Sequence, residues 1–120
     1  MKIAVTSTGK DLNSDLDPRF GRAAYFVIVD SETLEFEEVE NTQNLNLPQG
    51  AGIQAGKIIV NSKAEVLITG NCGPKAFNVL NQAGVRIVTG AKGNVINAVQ
   101  QYKNNELKIS QEANVEGHWV

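Results

Sequence analysis

Apolar residues in this chain fall into short runs separated by polar and glycine-rich stretches, and their spacing changes near the middle. Lys2 to Ser7 reads as a short buried strand that ends in Thr8-Gly9. A polar loop from Lys10 to Asp17 follows and closes in Pro18-Arg19-Phe20-Gly21-Arg22. Ala23 to Asp30 is the strongest strand signal, nearly continuous through Tyr25, Phe26, Val27, Ile28 and Val29. Ser31-Glu32-Thr33 is a tight turn, so Leu34 to Glu40 is expected to pair antiparallel with that run as a hairpin. Four glutamates on this third strand suit an exposed sheet edge, where charge discourages strand addition by a neighbour.

From Gly50 onward the apolar period becomes helical, with Ile53, Ile59 and Val60 on one helix and a buried strand, Glu65 to Gly70, after it. Gly73-Pro74 opens a second helix, at a position where proline's missing N–H costs nothing. Ala76, Val79, Leu80 and Ala83 form its stripe, and Gly84 stops it. Val85 to Thr89 is a further strand, and Asn94 caps a third helix carrying Val95, Val99 and Tyr102. The order β-β-β-α-β-α-β-α predicts an α/β fold. Its mixed five-stranded sheet has order 3-2-1-4-5, with strand two alone antiparallel and three helices joined by right-handed crossovers. Residues 1–105 read as one domain and 106–120 as a C-terminal tail able to fold over its site.

Such an order has a switch point between strands one and four, and open α/β sheets bind ligands outside the strands' carboxyl ends there. The first strand delivers Thr6, Ser7, Thr8, Gly9 and Lys10 to that edge, and the reversed second strand starts there with Asp17 to Arg22. The fourth delivers Gly70-Asn71-Cys72-Gly73-Pro74-Lys75 and the fifth Gly90-Ala91-Lys92-Gly93. All three helices are expected to begin at this edge with the positive ends of their dipoles. Lys10, Arg19, Arg22, Lys75 and Lys92, five of the 11 basic residues, would then share one rim. Taken singly, each cation reads as a solvated charge and each glycine as a cap. Their convergence describes an anion pocket with one thiol in it.

Composition narrows the alternatives. The chain has 120 residues, 42% hydrophobic and 20% charged, which is the size and balance of one globular domain. No apolar run approaches the ~20 residues of a membrane helix, and a net charge of −2 argues against a nucleic-acid surface, so neither partner is expected. The Met-Lys-Ile-Ala-Val start lacks the form of a signal peptide, which makes a reducing, cytoplasmic location the default. One Cys and one His exclude an internal disulfide and a closed zinc site.

Two motifs fail on inspection. Ala51 to Ile58 approaches a P-loop, but Ile58 replaces the Mg²⁺-binding hydroxyl. Asp11 to Asp15 begins like a calcium loop, but Leu16 replaces the turn glycine and Arg22 the bidentate glutamate. Cys72 and His118 as a nucleophile and base lack an orienting third group. A preassembled metal–sulfur cluster asks less of the protein, since it brings its own sulfides and negative charge. Cys72 is its candidate thiolate, favoured by the helix start and Lys75, and His118 lies in the tail.

The chain resembles the dinitrogenase iron–molybdenum cofactor biosynthesis family, the NifX-like proteins and the C-terminal domain of NifB. The likeness runs through Met1-Lys2-Ile3-Ala4-Val5, Asp17 to Phe26, Gln49-Gly50-Ala51-Gly52, Gly70 to Ala76 and Val115-Glu116-Gly117-His118-Trp119. The resemblance implies a ribonuclease-H-like fold. It also implies a small non-enzymatic carrier or scaffold for iron–sulfur or molybdenum-containing clusters, as in nitrogen fixation. One relative is similar to a protein that holds a molybdenum–copper sulfide cluster without covalent bonds. Arg19 stands where some members carry a histidine, which favours an anion contact over a metal ligand there.

The expected cluster-binding set is therefore Ser7, Thr8, Arg19, Phe20, Gly21, Arg22, Gly50, Gly52, Asn71, Cys72, Gly73, Lys75 and Lys92, with Cys72 and His118 as metal ligands. The alternative is a regulatory or adaptor domain that binds a partner protein in a metal–sulfur pathway, since relatives accompany MinD/ParA-type ATPases and cofactor-assembly proteins. A two-metal nuclease, which this fold kinship would also suggest, needs several carboxylates at the site. The first strand has none, and Glu65 lies at the wrong end of the fourth.

Overall fold

The computed structural model describes residues 1–41 and 50–115. Among these, the strands are β1 (Lys2–Ser7), β2 (Tyr25–Asp30), β3 (Phe36–Glu40), β4 (Val66–Ile68) and β5 (Arg86–Val88). The helices are α1 (Ala51–Asn61), α2 (Pro74–Gln82) and α3 (Val95–Lys103). They form a mixed five-stranded sheet in the order β3-β2-β1-β4-β5, as the alternation of elements predicts. β2 is antiparallel to both its neighbours, while β4 is parallel to β1 and β5 to β4.

Period-two alternation along the strands divides the core into two layers. Ala4, Phe26, Ile28, Leu67 and Ile87 face one way and pack with Ala55 and Ile59 of α1 and Ala76, Phe77 and Leu80 of α2. Ile3, Val5, Val27, Val29, Val66, Ile68 and Val88 face the other way and pack with Val95, Ala98 and Val99 of α3. β1 lies in the middle of the sheet, and Ile3 to Ser7 on it are all buried, which is why it reads as an apolar run.

The helix stripes differ from their expected residues. α1 buries Ala51, Gly52, Ala55, Gly56 and Ile59, whereas Ile53 and Val60 are only half-buried. The cause is close helix–helix packing: a Cβ on Gly56 would stand 3.0 Å from Val79 Cγ1 of α2. On α2, Phe77 takes the place expected for Val79, and Ala83 is exposed. Gly84 ends α2 as expected, with φ +82°, its N–H donating to the Asn81 carbonyl oxygen.

Candidate functional site

The carboxyl ends of β1 and β4 are stitched to the loop before β2. The Thr6 hydroxyl is hydrogen-bonded to the Asp17 carbonyl oxygen (2.6 Å) and to the Thr69 hydroxyl (3.0 Å). The Asp17 N–H donates back to the Thr6 carbonyl oxygen at 2.9 Å. Beyond these, Arg19 and Asn71 form a short parallel bridge. The Asn71 N–H donates to the Pro18 carbonyl oxygen (2.7 Å), and the Phe20 N–H donates to that of Asn71 (3.2 Å). The Asn71 side-chain amide donates to Pro18 as well. Gly70 makes the approach possible, because a Cβ there would lie 2.7 Å from both Pro18 Cα and Pro18 O. The two loops that sequence spacing sends to the switch point are thus physically joined.

Arg19 projects from this seam. Its side chain is 53% exposed, its Nε lies 3.8 Å from Asp17 Oδ1, and the Asp17 carboxylate also accepts from the Arg19 N–H. Lys75, in the first turn of α2, and Lys92, on the loop after β5, are exposed. The 90–93 loop is tied in by Gly90 N–H donating to the Gly70 carbonyl oxygen (2.8 Å) and Leu16 N–H donating to that of Gly93 (2.9 Å). Lys10 lies over the Tyr25 ring, 5.6 Å from its centroid, in cation–π range. Arg22 is half-buried and engaged in interactions of its own.

Other expected site residues are occupied with structure. Phe20 is fully buried and packs against Phe26 at a ring-centroid distance of 5.6 Å, so it is core beneath the loop. The Ser7 hydroxyl closes a turn with Gly9, and the Thr8 hydroxyl donates to Asp15. Gly21 offers its carbonyl oxygen to the Asn41 side chain. Gly50 is the left-handed N-cap of α1, and Gly52 is buried in its first turn. His118 and the tail from residue 116 onward lie outside the described residues, as does Gln49.

Two expectations about charge are corrected. The start of α3 is not open to a ligand: Val95 and Ile96 N–H groups donate to the carbonyl oxygens of Ser14 and Leu12, and Asn97 N–H to Asn94 Oδ1. Its first-turn donors are spent on the 11–16 loop. Cys72 is not held as a thiolate either. Its side chain is fully buried in the core cluster that also holds Phe20, Ala76 and Phe77, with Sγ 3.7 Å from the Gly73 carbonyl oxygen, and burial pushes the thiol up to about 12. Desolvation outweighs the helix start. Among the described residues, no three His, Cys, Asp or Glu side chains converge to hold a metal ion.

A participant that local sequence pattern does not mark is Asn114. Its Oδ1 accepts from the Cys72 N–H (2.8 Å), and its Nδ2 donates to the Gly70 carbonyl oxygen (3.1 Å) and to Asn71 Oδ1 (3.2 Å). The contact spans 42 residues of sequence, so no local signal points to it.

A mixed five-stranded sheet in the order β3-β2-β1-β4-β5, with basic residues near its switch point, defines a small α/β protein of the open-sheet class. Residues 1–105 match the family described as dinitrogenase iron–molybdenum cofactor, and the chain belongs to that family. Its fold is similar to that of the orange protein from Desulfovibrio gigas, solved in its apo form. The two are 42% identical, with a TM-score of 0.93, over 95% of this chain and 96% of that one. An NMR structure of a Thermotoga NifB candidate of the DUF35 family is 34% identical with a TM-score of 0.82, over 97% of this chain and 98% of that one. An uncharacterized protein of Methanocaldococcus jannaschii is 31% identical over 111 residues, 90% of each chain. Among the described residues no helix is long and apolar enough to cross a membrane.

Proposed function

We propose that this protein is a non-enzymatic carrier or scaffold for an anionic metal–sulfur cluster, of iron–sulfur or molybdenum-containing type, or for its precursor. The observation that carries the reading is the Arg19–Asn71 seam, which fixes the loop bearing Arg19 and the loop that leads into α2, whose first turn carries Lys75, at the switch point of the sheet. Arg19 and Lys75, with Lys92 on the adjoining loop, supply exposed positive charge. A cluster brings its own bridging sulfides, so such a rim binds it through charge and hydrogen bonds without a full set of protein ligands. Cys72 enters this reading as a thiol beneath the rim, and His118 as a second ligand from the tail. Family membership supports the cofactor-assembly setting. That setting implies the reducing cytoplasm and, as handover partners, cofactor-assembly proteins or a MinD/ParA-type ATPase.

Anaerobic reconstitution with iron, sulfide and molybdate, followed by visible absorption and metal analysis, tests the proposal. A coloured protein with stoichiometric metal, lost in the Arg19→Ala/Lys75→Ala double variant, supports it. A colourless protein without metal overturns it. Cys72→Ser separates ionic from thiolate binding: an unchanged spectrum assigns the cluster to the cationic rim alone.

A further inference from the structure

The segment after α3 returns beside the edge strand β5 as a strap anchored at two points. At the first, Ser110 N–H donates to the Ile87 carbonyl oxygen (2.7 Å), Thr89 N–H donates to Ser110 Oγ (3.1 Å), and the two hydroxyls meet at 2.8 Å. At the second, Asn114 clasps the loop after β4. Its N–H donates to the Cys72 carbonyl oxygen (3.2 Å), while its side chain accepts from the Cys72 N–H and donates to Gly70 and Asn71. Between the anchors, Ala113 packs against the core cluster that contains Cys72.

We propose that this strap gates the rim site, with Asn114 as its latch: closed, it holds Cys72 as an inert, buried thiol, and released, it frees the 70–74 loop to present that thiol to bound cargo. The proposal deepens the cluster-carrier reading and rests on it for the identity of the cargo. Three features of the geometry support a latch rather than an ordinary terminal contact. Asn114 satisfies both hydrogen-bonding faces of one side-chain amide on three consecutive loop residues, so one side chain sets the conformation of the whole turn. Asn71, which receives the Asn114 amide, in turn donates to Pro18, so the clasp reaches the Arg19 loop through one intermediary. Asn114 is itself exposed, which places these bonds in competition with water and among the contacts that open locally without unfolding the core.

Thiol chemistry on the full-length apo protein decides the matter without any cluster. Wild type, Asn114→Ala and Ser110→Ala are mixed with Ellman's reagent at pH 8 and the Cys72 reaction rate is followed. Urea unfolding and amide exchange in β1 and β2 report the integrity of the core. The expected result is at least a tenfold faster reaction for Asn114→Ala, a smaller increase for Ser110→Ala, and core protection unchanged in both. Faster exchange of the Cys72 amide, whose acceptor is Asn114 Oδ1, accompanies it. Asn114→Asp keeps that acceptor and loses the two amide donors, so its rate falls between wild type and Asn114→Ala. A wild-type rate in Asn114→Ala overturns the proposal, as does an acceleration no larger than the loss of global stability accounts for. If reconstitution yields no cluster while Asn114→Ala still reacts faster with an intact core, the carrier reading fails and the latch stands.

Discussion

At Gly70 a single hydrogen atom decides whether the two site loops can meet. A methyl group there would press on Pro18 backbone at 2.7 Å, and backbone cannot rotate away as a side chain would. Gly70→Ala is therefore expected to lower stability by about 1–3 kcal/mol, the range for overpacking, and to loosen the Asn71–Pro18 pairing. Urea unfolding checks the first, and amide exchange at Asn71 the second. An unchanged midpoint would show that the loops separate at no cost. Cys72 carries a different residue-scale prediction, in pH. Burial raises its folded pKa to about 12 from an ordinary value near 9. Above pH 9 the unfolded thiol ionises while the folded one stays protonated, so the unfolded state binds fewer protons and stability falls as pH rises toward 12. The slope is about 1.4 kcal/mol per pH unit at most. Unfolding at pH 8 and pH 10.5 should show wild type losing more stability than Cys72→Ala over that interval. Equal losses would mean the thiol is already ionised or exposed in the folded protein.

At the scale of elements, α3 shows how a helix start that looks available is in fact used. The Asn94 side chain accepts from Asn97 N–H, and the 11–16 loop supplies the other acceptors. Asn94→Ala should cost about 1 kcal/mol in urea unfolding, as loss of an N-cap does, and should speed amide exchange at Asn97. A neutral substitution would place the helix start under the control of the Ser14 and Leu12 carbonyls alone. Elements are also where sequence is most legible. β1 is readable to the residue because it is central and buried on both faces, which yields the apolar run Ile3-Ala4-Val5 followed by two small buried hydroxyl residues, Thr6 and Ser7. β4 is shorter than its pattern, Val66–Ile68 against Glu65 to Gly70, because Thr69 and Gly70 leave the ladder with β1 to join the loops. α1 misleads by period: Ile59 is buried as its pattern predicts, but Ile53 and Val60 are less buried than the small residues, since contact with α2 selects Ala55 and Gly56. In the site, Arg19, Asn71 and Cys72 are legible because strand order alone delivers them to one edge. Phe20 and Ser7, expected at the rim, are buried, because sequence cannot tell a rim side chain from one turned inward. Asn114 is invisible because its partners lie 42 to 44 residues away.

Across the whole molecule the charge is slightly negative, yet the proposed cargo is an anion, so its distribution must outweigh the sum. Glu37, Glu38 and Glu40 line β3 at one edge of the sheet, while Arg19 and Lys92 on loops and Lys75 in the first turn of α2 belong to the strands' carboxyl ends. The body extends 36 × 27 × 24 Å, whereas the screening length is about 8 Å at physiological salt. An approaching anion within reach of the rim therefore senses Arg19, Lys75 and Lys92 more than Glu37 and Glu38 out on β3, and although Asp17 beside Arg19 and Glu40 opposite Tyr25 offset part of it, a local basic field guides association even on an acidic protein. Cluster binding should then weaken several-fold as ionic strength rises from about 0.05 to 0.5 M, where screening contracts to a few ångströms. Arg19→Gln and Lys75→Gln should bind more weakly at low salt and approach wild type at high salt, because the interaction they lose is the one that salt already suppresses. Replacing Glu38 with Gln on the far edge should change neither affinity nor salt dependence. Titrations of reconstituted cluster against each variant at two salt concentrations make the comparison. Salt-independent binding, with Arg19→Gln and Lys75→Gln indistinguishable from wild type, would move the cluster off the rim and onto direct ligation by Cys72.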